Sequence, residues 1–256
     1  MSPLKVTVRF AARSRLATML LATALALGCH PSASEVVEQA HRAFASFDRP
    51  ALENTLSHAY LDALGDREVL LADLDVLKRR FARARIKLPK RSTLDERSAR
   101  RNTVIADIDA EFVGDQTWKL DGSVRIELER EDGPKIASGL LTELRDIIGL
   151  MDRRRAAFEA NDPEGFDSTL HPNYRDGDID RNQAVQRFAR DIGQTPVRLF
   201  AMNYRLELRG ANAHLDEHYI LSVGSRTFPP AIARFTLARS AGRWRIQAGL
   251  YAGDSR

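Results

Sequence analysis

The sequence predicts an α+β protein made of two tandem units, each with three helices and an antiparallel four-stranded sheet. Three observations lead there. A short apolar stretch behind a basic N-terminus sets residues 1–28 apart from the rest. An internal repeat runs through the remainder of the chain. In each copy the apolar spacing changes from a helical period to a period of two, which is the signature of helices followed by half-buried strands.

The N-terminus comes first. Lys5, Arg9, Arg13 and Arg15 form a basic region with no acid, and Leu16 to Leu27 carries no charge and no proline. That stretch is long enough for a signal-peptide core and too short to span a bilayer as a helix. It ends Leu25-Ala26-Leu27-Gly28-Cys29, which resembles the lipobox of bacterial lipoproteins. The match departs from the pattern at Ala26, where a leucine is usual. The resemblance implies cleavage after residue 28, diacylation of Cys29, and a new N-terminus at that cysteine. The alternative is ordinary cleavage near Ala22-Thr23-Ala24. Cys29 is the only cysteine, so no intramolecular disulfide can form. Because His30 and not an aspartate follows it, the resemblance implies an outer-membrane destination facing the periplasm.

The formal net charge of +4 belongs to the leader. Without its four basic residues, 39 − 4 = 35 basic residues face 35 acidic ones. A net charge of zero argues against a nucleic-acid partner, whose binding rests on excess positive charge.

The repeat divides the remainder into 29–141 and 142–256. A shift of 114 residues places Ala43, Phe44, Asp48, Thr55, Leu56, Tyr60, Asp62, Asp66 and Arg67 on Ala157, Phe158, Asp162, Thr169, Leu170, Tyr174, Asp176, Asp180 and Arg181 without a gap. A shift of 110 then places Ile136, Gly139 and Leu140 on Ile246, Gly249 and Leu250. In both copies the order of elements is the same. Val37, Ala40, Phe44 and Phe47 mark a helix face, as do Leu144, Ile147, Ile148, Met151 and Phe158. Asp48-Arg49-Pro50 and Asn161-Asp162-Pro163 break these helices and start a short one. A third helix is expected from Asp66 to about Ala84 and from Asp180 to about Ile192, each opened by a capping aspartate.

Strands come next. In the second copy they are expected at Val197 to Arg209, Ala213 to Val223, Ala231 to Arg239 and Arg243 to Tyr251. In the first they are expected near Ile86 to Leu94, then at Thr103 to Val113, Trp118 to Glu129 and Lys135 to Leu141. This order, with Tyr-x-Asp between the second and third helices, resembles the nuclear-transport-factor-two-like superfamily. Polyketide cyclases, scytalone dehydratase and ketosteroid isomerase share that fold, and the resemblance implies two tandem cone-like units, each with its three helices packed on a curved antiparallel four-stranded sheet. The run His171-Pro172-Asn173-Tyr174-Arg175-Asp176 is similar to the corresponding segment of many members. The fold hosts enzymes, binding modules and assembly domains, so it does not decide function. The junction near residues 141–144 is too short for a flexible linker and predicts a rigid pair.

Strand alternation nominates what lines the second cone. Phe200, Met202, Tyr204, Leu206 and Leu208 are expected on one face, and Leu215, Glu217, Tyr219, Leu221 and Val223 on the next strand's matching face. Phe200, Met202, Tyr204, Glu217 and Tyr219 are therefore candidate ligand-binding residues. Glu217 is the only acid in that stripe. Buried, it would have a raised pKa and could serve as a general acid or base; at an edge it would simply reach water. Asp176 with Tyr174 is the family-style alternative, although both copies keep the pair, as Tyr60 and Asp62, which suits a structural role. Tyr204 or Tyr174 would be the proton donor in either case. The first copy's stripe, Val104, Ala106, Ile108, Ala110 and Phe112, carries no acid.

Other groups read more plainly. His214, Asp216 and His218 alternate on the opposite strand face and would span roughly 13 Å, too far for one ion, so no metal site is expected. No Gly-rich phosphate loop, nucleophile elbow or cysteine site is present, and no cofactor is expected. Lys78, Arg79, Arg80, Arg83, Arg85, Lys87, Lys90 and Arg91 form an acid-free run. It suits either an anionic envelope surface or a solvated helix end.

Three functions stay open on sequence grounds. One is a non-enzymatic binding or scaffold role with a small apolar pocket in the second unit. Another is an isomerase- or dehydratase-like enzyme using Glu217 or Asp176 as base. The third is a protein-interaction module. A cavity filled by Phe200, Met202 and Trp244 would remove the first two.

Overall fold

In the computed structural model residues 31–88, 93–95, 102–192 and 195–250 are described. The leader, Cys29, Lys90, Arg91 and residues 251–256 lie outside the described residues. The chain divides at Pro31, and Ser32–Arg256 forms one unit.

That unit begins with α1 (Ala33–Ala45), α2 (Arg49–Glu53) and α3 (Arg67–Arg80). Strands β1 (Phe81–Lys87), β2 (Thr93–Asp95), β3 (Asn102–Gly114), β4 (Thr117–Arg130) and β5 (Pro134–Ser138) come after them. The order then restarts with α4 (Thr142–Ala160), α5 (Pro163–Thr169), the small hairpin β6 (Arg175–Asp176) and β7 (Ile179–Asp180), and α6 (Arg181–Ile192). It closes with β8 (Val197–Arg209), β9 (Asn212–Val223), β10 (Arg226–Thr227), β11 (Ala231–Ser240) and β12 (Arg243–Ala248).

The helix starts are set by side-chain caps. Ser32 and Glu35 form a capping box on α1. Asp48, Asp66 and Asp162 each accept backbone N–H groups at the starts of α2, α3 and α5. Asp180 and Gln183 exchange bonds at the start of α6. Phe47 and Asn161, 114 residues apart, both adopt the left-handed conformation that ends α1 and α4. After each of them, Asp48 donates its N–H to Ala43 and Asp162 donates its N–H to Ala157, both at 2.9 Å. Helix α3 stops at Arg80, earlier than its expected end near Ala84. Residues Phe81–Lys87, which alternate small or apolar with basic side chains, pair with β3 instead.

The sheet differs most from expectation. Instead of two separate four-stranded antiparallel sheets there is one ten-stranded mixed sheet, ordered β1-β3-β4-β8-β9-β11-β12, with β2, β5 and β10 attached at its sides. β5 pairs with β4 only over Glu127–Arg130. The other end of that edge, Thr117 to Gly122, pairs in parallel with Asn203 to Leu208 of β8. Gly122 makes the approach feasible: its φ is +141°, and a Cβ there would lie 2.6 Å from the Leu208 carbonyl oxygen. Trp118 and Tyr204 stack across the joint, ring centroids 3.9 Å apart.

The helices pack on the sheet in matching ways. α1 packs on β1 and β5, and α4 packs on β8 and β12. Isolated parallel bridges join Leu56 to Ile136 and Leu170 to Ile246, at matching places in the repeat. The described apolar core is continuous through both halves.

One strand departs from simple alternation. Between Ala201 and Asn203 the pairing of β8 with β9 slips by a residue, so Met202 is a β-bulge. Val197, Leu199 and Ala201 face the helices before it, and Tyr204, Leu206 and Leu208 after it. Phe200 therefore points to the opposite face and is 53% exposed, correcting its expected inward placement. Met202 is half-buried at the bulge itself.

Candidate functional site

Helix α4 is the element that builds the site. Its first turns are fixed from both sides. Arg145 donates to Asp62 at 2.8 Å and to Asp73 at 2.9 Å, reaching back into the first half. Asp146 accepts the Trp244 N–H at 2.7 Å and the Arg243 Nε at 2.9 Å, holding β12. Trp244 is itself buried there.

With α4 so placed, Arg154 enters the interface between helix and sheet. Its Nη1 donates to Glu217 Oε2 at 2.7 Å. Its guanidinium carbon lies 4.9 Å from the ring centroids of both Phe158 and Phe235. Tyr204, directly across the ladder from Glu217, donates its hydroxyl to Oε1 at 2.9 Å. Glu217 has no exposure at all and the Arg154 side chain only 5%. Burial, then the neighbouring Glu217 charge, pushes the Tyr204 hydroxyl far above its ordinary pKa, so it stays protonated. Arg154 Nε is buried and has no hydrogen-bond partner among the described residues.

Beside this pair lies a cavity of about 240 Å³. Helices contribute Phe158, Phe166 and Phe188, and the sheet contributes Val197 and Leu199 of β8 and Tyr219, Leu221 and Val223 of β9. Phe166 and Phe188 stack at 4.2 Å, and Phe158 meets Phe188 edge-on at 5.0 Å, so the aromatic wall is itself packed. Among the described residues Arg154 is the only basic one in the lining, and Asp191 the only acidic one. Larger concavities exist. One of about 840 Å³ crosses the outer sheet face over β3, β4, β8 and β9, lined by Asp109, Glu111, Lys119, Asp121, Arg205 and His218. Its walls are solvated charges of both signs, so it offers a ligand no apolar enclosure.

Of the residues that strand alternation nominated, Tyr219 lines the cavity. Glu217 and Tyr204 face inward but sit behind Arg154, outside the lining. Met202, Phe200 and Trp244 do not line it. Tyr174 and Asp176 pair with each other at 3.4 Å away from it, where Asp176 also accepts the Gly249 N–H at 3.3 Å. The matching Tyr60 hydroxyl donates to Asp62 at 2.7 Å, and Thr142 and Arg145 converge on the same carboxylate. Burial raises Asp62, but Arg145 and the converging hydrogen bonds outweigh it and hold its pKa below the usual range.

His214, Asp216 and His218 fall on the outer face, opposite Glu207, Arg205 and Asn203. Among the described residues no group of three or more His, Cys, Asp or Glu is placed to hold a metal. The basic run is dispersed. Arg80 pairs with Asp152 at 2.7 Å and Lys87 with Asp109 at 3.3 Å, while Lys78, Arg79, Arg83 and Arg85 are solvated to differing degrees. No described helix is long and apolar enough to cross a membrane.

Arg154 escaped the reading of strand stripes, yet the sequence carries a signal for it. The stripe Ile147, Met151 and Phe158 leaves one helical step empty, and Arg154 fills it. A lone arginine in an apolar helix stripe and a lone glutamate in an apolar strand stripe are natural partners.

Neither a family model nor a curated protein matches the sequence. Solved structures do. A protein of the nuclear-transport-factor-two-like (NTF2-like) family from Streptomyces avermitilis is 14% identical at a TM-score of 0.37, over 42% of this chain and 92% of its own. A protein of unknown function with a cystatin-like fold from Nostoc punctiforme is also 14% identical at 0.37, over 42% of this chain and 87% of its own. A protein of unknown function from Mycobacterium tuberculosis is 16% identical at 0.38, over 41% of this chain and 68% of its own. Each likeness spans about two-fifths of the chain and concerns fold. On its own geometry the chain is α+β, with a large mixed sheet and six described helices.

Proposed function

We propose that this is an exported, lipid-anchored binding protein that holds a small apolar molecule in the cavity of its second half. The observation that carries the reading is the cavity itself. Three phenylalanines and five aliphatic side chains enclose it, counting Leu250, and one internally neutralised arginine forms its polar wall. The first half lacks any acid on its matching stripe and is read as support. The finer architecture we propose is two tandem cone-like units, 29–141 and 142–256, fused through β4 and β8. The repeated identities and the matching bridges support that division.

The enzyme reading is weaker for a physical reason. A general base needs a lone pair that reaches substrate. Both Glu217 oxygens are engaged, one by Arg154 and one by Tyr204, and the carboxylate does not line the cavity. Asp176 is likewise outside it. Titration with 2-naphthol, followed by fluorescence, tests the pocket. Saturable binding by wild type that falls at least about tenfold in Leu199→Trp, which fills the cavity, is expected. Equal binding by both proteins would exclude the pocket. Export and anchoring rest on the leader and on Cys29. Labelling with a palmitate analogue should mark wild type and miss Cys29→Ser, and equal labelling would sink the anchor.

A further inference from the structure

The charge state of the cavity wall says what kind of molecule the cavity accepts. Arg154 brings one positive charge and Glu217 one negative charge, 2.7 Å apart and both buried. The pair is neutral before any ligand arrives. A ligand carboxylate placed against Arg154 would make a buried site of two anions and one cation. Burying such an uncompensated charge is costly, whatever hydrogen bonds it gains. Asp191 adds a further negative charge at the lining. A neutral acceptor meets none of these penalties. It can still take a hydrogen bond from the guanidinium of Arg154, the basic group that lines the cavity. At about 240 Å³ the cavity is smaller than those that enclose drug-sized ligands, which limits the occupant to one or two rings.

On these grounds, and resting on the binding role proposed for this cavity, we infer that it selects uncharged one- or two-ring molecules bearing a carbonyl or similar hydrogen-bond acceptor, and rejects their carboxylate analogues. Arg154 is the donor to the acceptor. Glu217 is the group that sets the charge preference without touching the ligand. The same arrangement inverts if Glu217 loses its charge, because Arg154 would then stand as an uncompensated cation beside an apolar cavity.

The test is calorimetric titration of the full mature chain with 2-acetonaphthone and with 2-naphthoate at pH 7. Both are planar two-ring probes, and the second is ionised. Wild type should bind the ketone at least about tenfold more tightly than the carboxylate. Glu217→Gln keeps the shape and removes the charge, so it should reverse the order. Glu207→Gln, a change on the outer sheet face away from the cavity, should leave the wild-type ratio within about twofold. Equal affinity of wild type for the two probes, or a preference for the carboxylate, overturns the inference. So does a ratio that collapses in Glu207→Gln, since selection would then follow the overall charge of the protein and not the buried pair. A folded Glu217→Gln with an unchanged ratio also overturns it. If wild type binds neither probe, the pocket reading falls as well, which separates the two failures.

Discussion

The two halves solve one packing problem differently. In the second, Arg154 leaves helix α4 and meets Glu217 on the sheet. In the first, the residue 114 positions earlier is Ala40, fully buried on α1, and the facing strand offers only Val104, Ala106, Ile108, Ala110 and Phe112. Likewise Phe166 and Phe188 of the cavity wall stand where the first half has Leu52 and Leu74, both fully buried. The first half therefore shows that this part of the helix–sheet interface closes without an ion pair. Buried ion pairs are weak sources of stability, since desolvation offsets most of their attraction. A pair that this interface does not need is better explained by what lies beside it, the cavity of the second half.

The largest effect that would break this comparison comes from splitting the pair. Arg154→Ala should lose about 3–5 kcal/mol in urea unfolding, because Glu217 would be left buried and uncompensated. Arg154→Leu combined with Glu217→Leu should recover to within about 2 kcal/mol of wild type while losing the ligand preference. A single change costing as little as the double one would show that the pair is not internal at all.

Acid acts on the other half. His41 is buried on α1, with Nδ1 bonded to the Val37 carbonyl at 2.8 Å, and burial lowers its pKa from 6.5 to about 4. The unfolded chain takes up that proton first. Stability is therefore fully present above pH 6.5 and declines as pH falls from 6.5 towards 4, by about 3 kcal/mol in all. The matching place in the second half holds Arg155 instead. His41→Leu should flatten the acid limb of a stability–pH curve. An unchanged limb would place the acid sensitivity elsewhere.

Intermediate effects sit at the joint. Gly122→Ala should cost about 2 kcal/mol through its clash with Leu208 and its positive φ. It should also separate the melting of the halves, as read by calorimetry; a single unaltered transition would argue against a joint through β4 and β8. Smallest is the contrast between the repeated aspartates. Asp62→Asn should cost about 2 kcal/mol, since Arg145, Thr142 and Tyr60 converge on it. Asp176→Asn, with its longer bonds to Tyr174 and Gly249, should cost less than about 1 kcal/mol. Equal losses would mean that the two pairs do the same structural work.

Much of the fold could be read from the residues. Strands β8, β9 and β11 begin and end within a residue of expectation, because Gly, Pro and Asn punctuate a clean alternation there. What escaped was non-local. The bulge at Met202 is invisible in Phe200-Ala201-Met202-Asn203-Tyr204, where an unbroken alternation also places apolar residues on one face. Only the partner strand reveals the slip. The parallel contact between β4 and β8 joins residues more than eighty positions apart, and no local pattern encodes it. Within the site, Glu217 and Tyr219 stood out as members of an apolar stripe. Arg154 did not, because it is flanked by Arg153 and Arg155 and reads as one member of a solvated basic run.

The partly covered edge of β4 also bears on how the chain is made. Thr117 pairs with Asn203, 203 − 117 = 86 residues later. Until that stretch has been synthesised, the backbone groups of Thr117 to Gly122 on the side away from β3 stay unpaired, on a strand able to template another chain. At about 5–20 residues per second the wait lasts several seconds. A nascent chain with such an edge gains from being held open by a chaperone during that interval. A fragment ending near residue 141 would never leave it, and should aggregate where the whole chain does not.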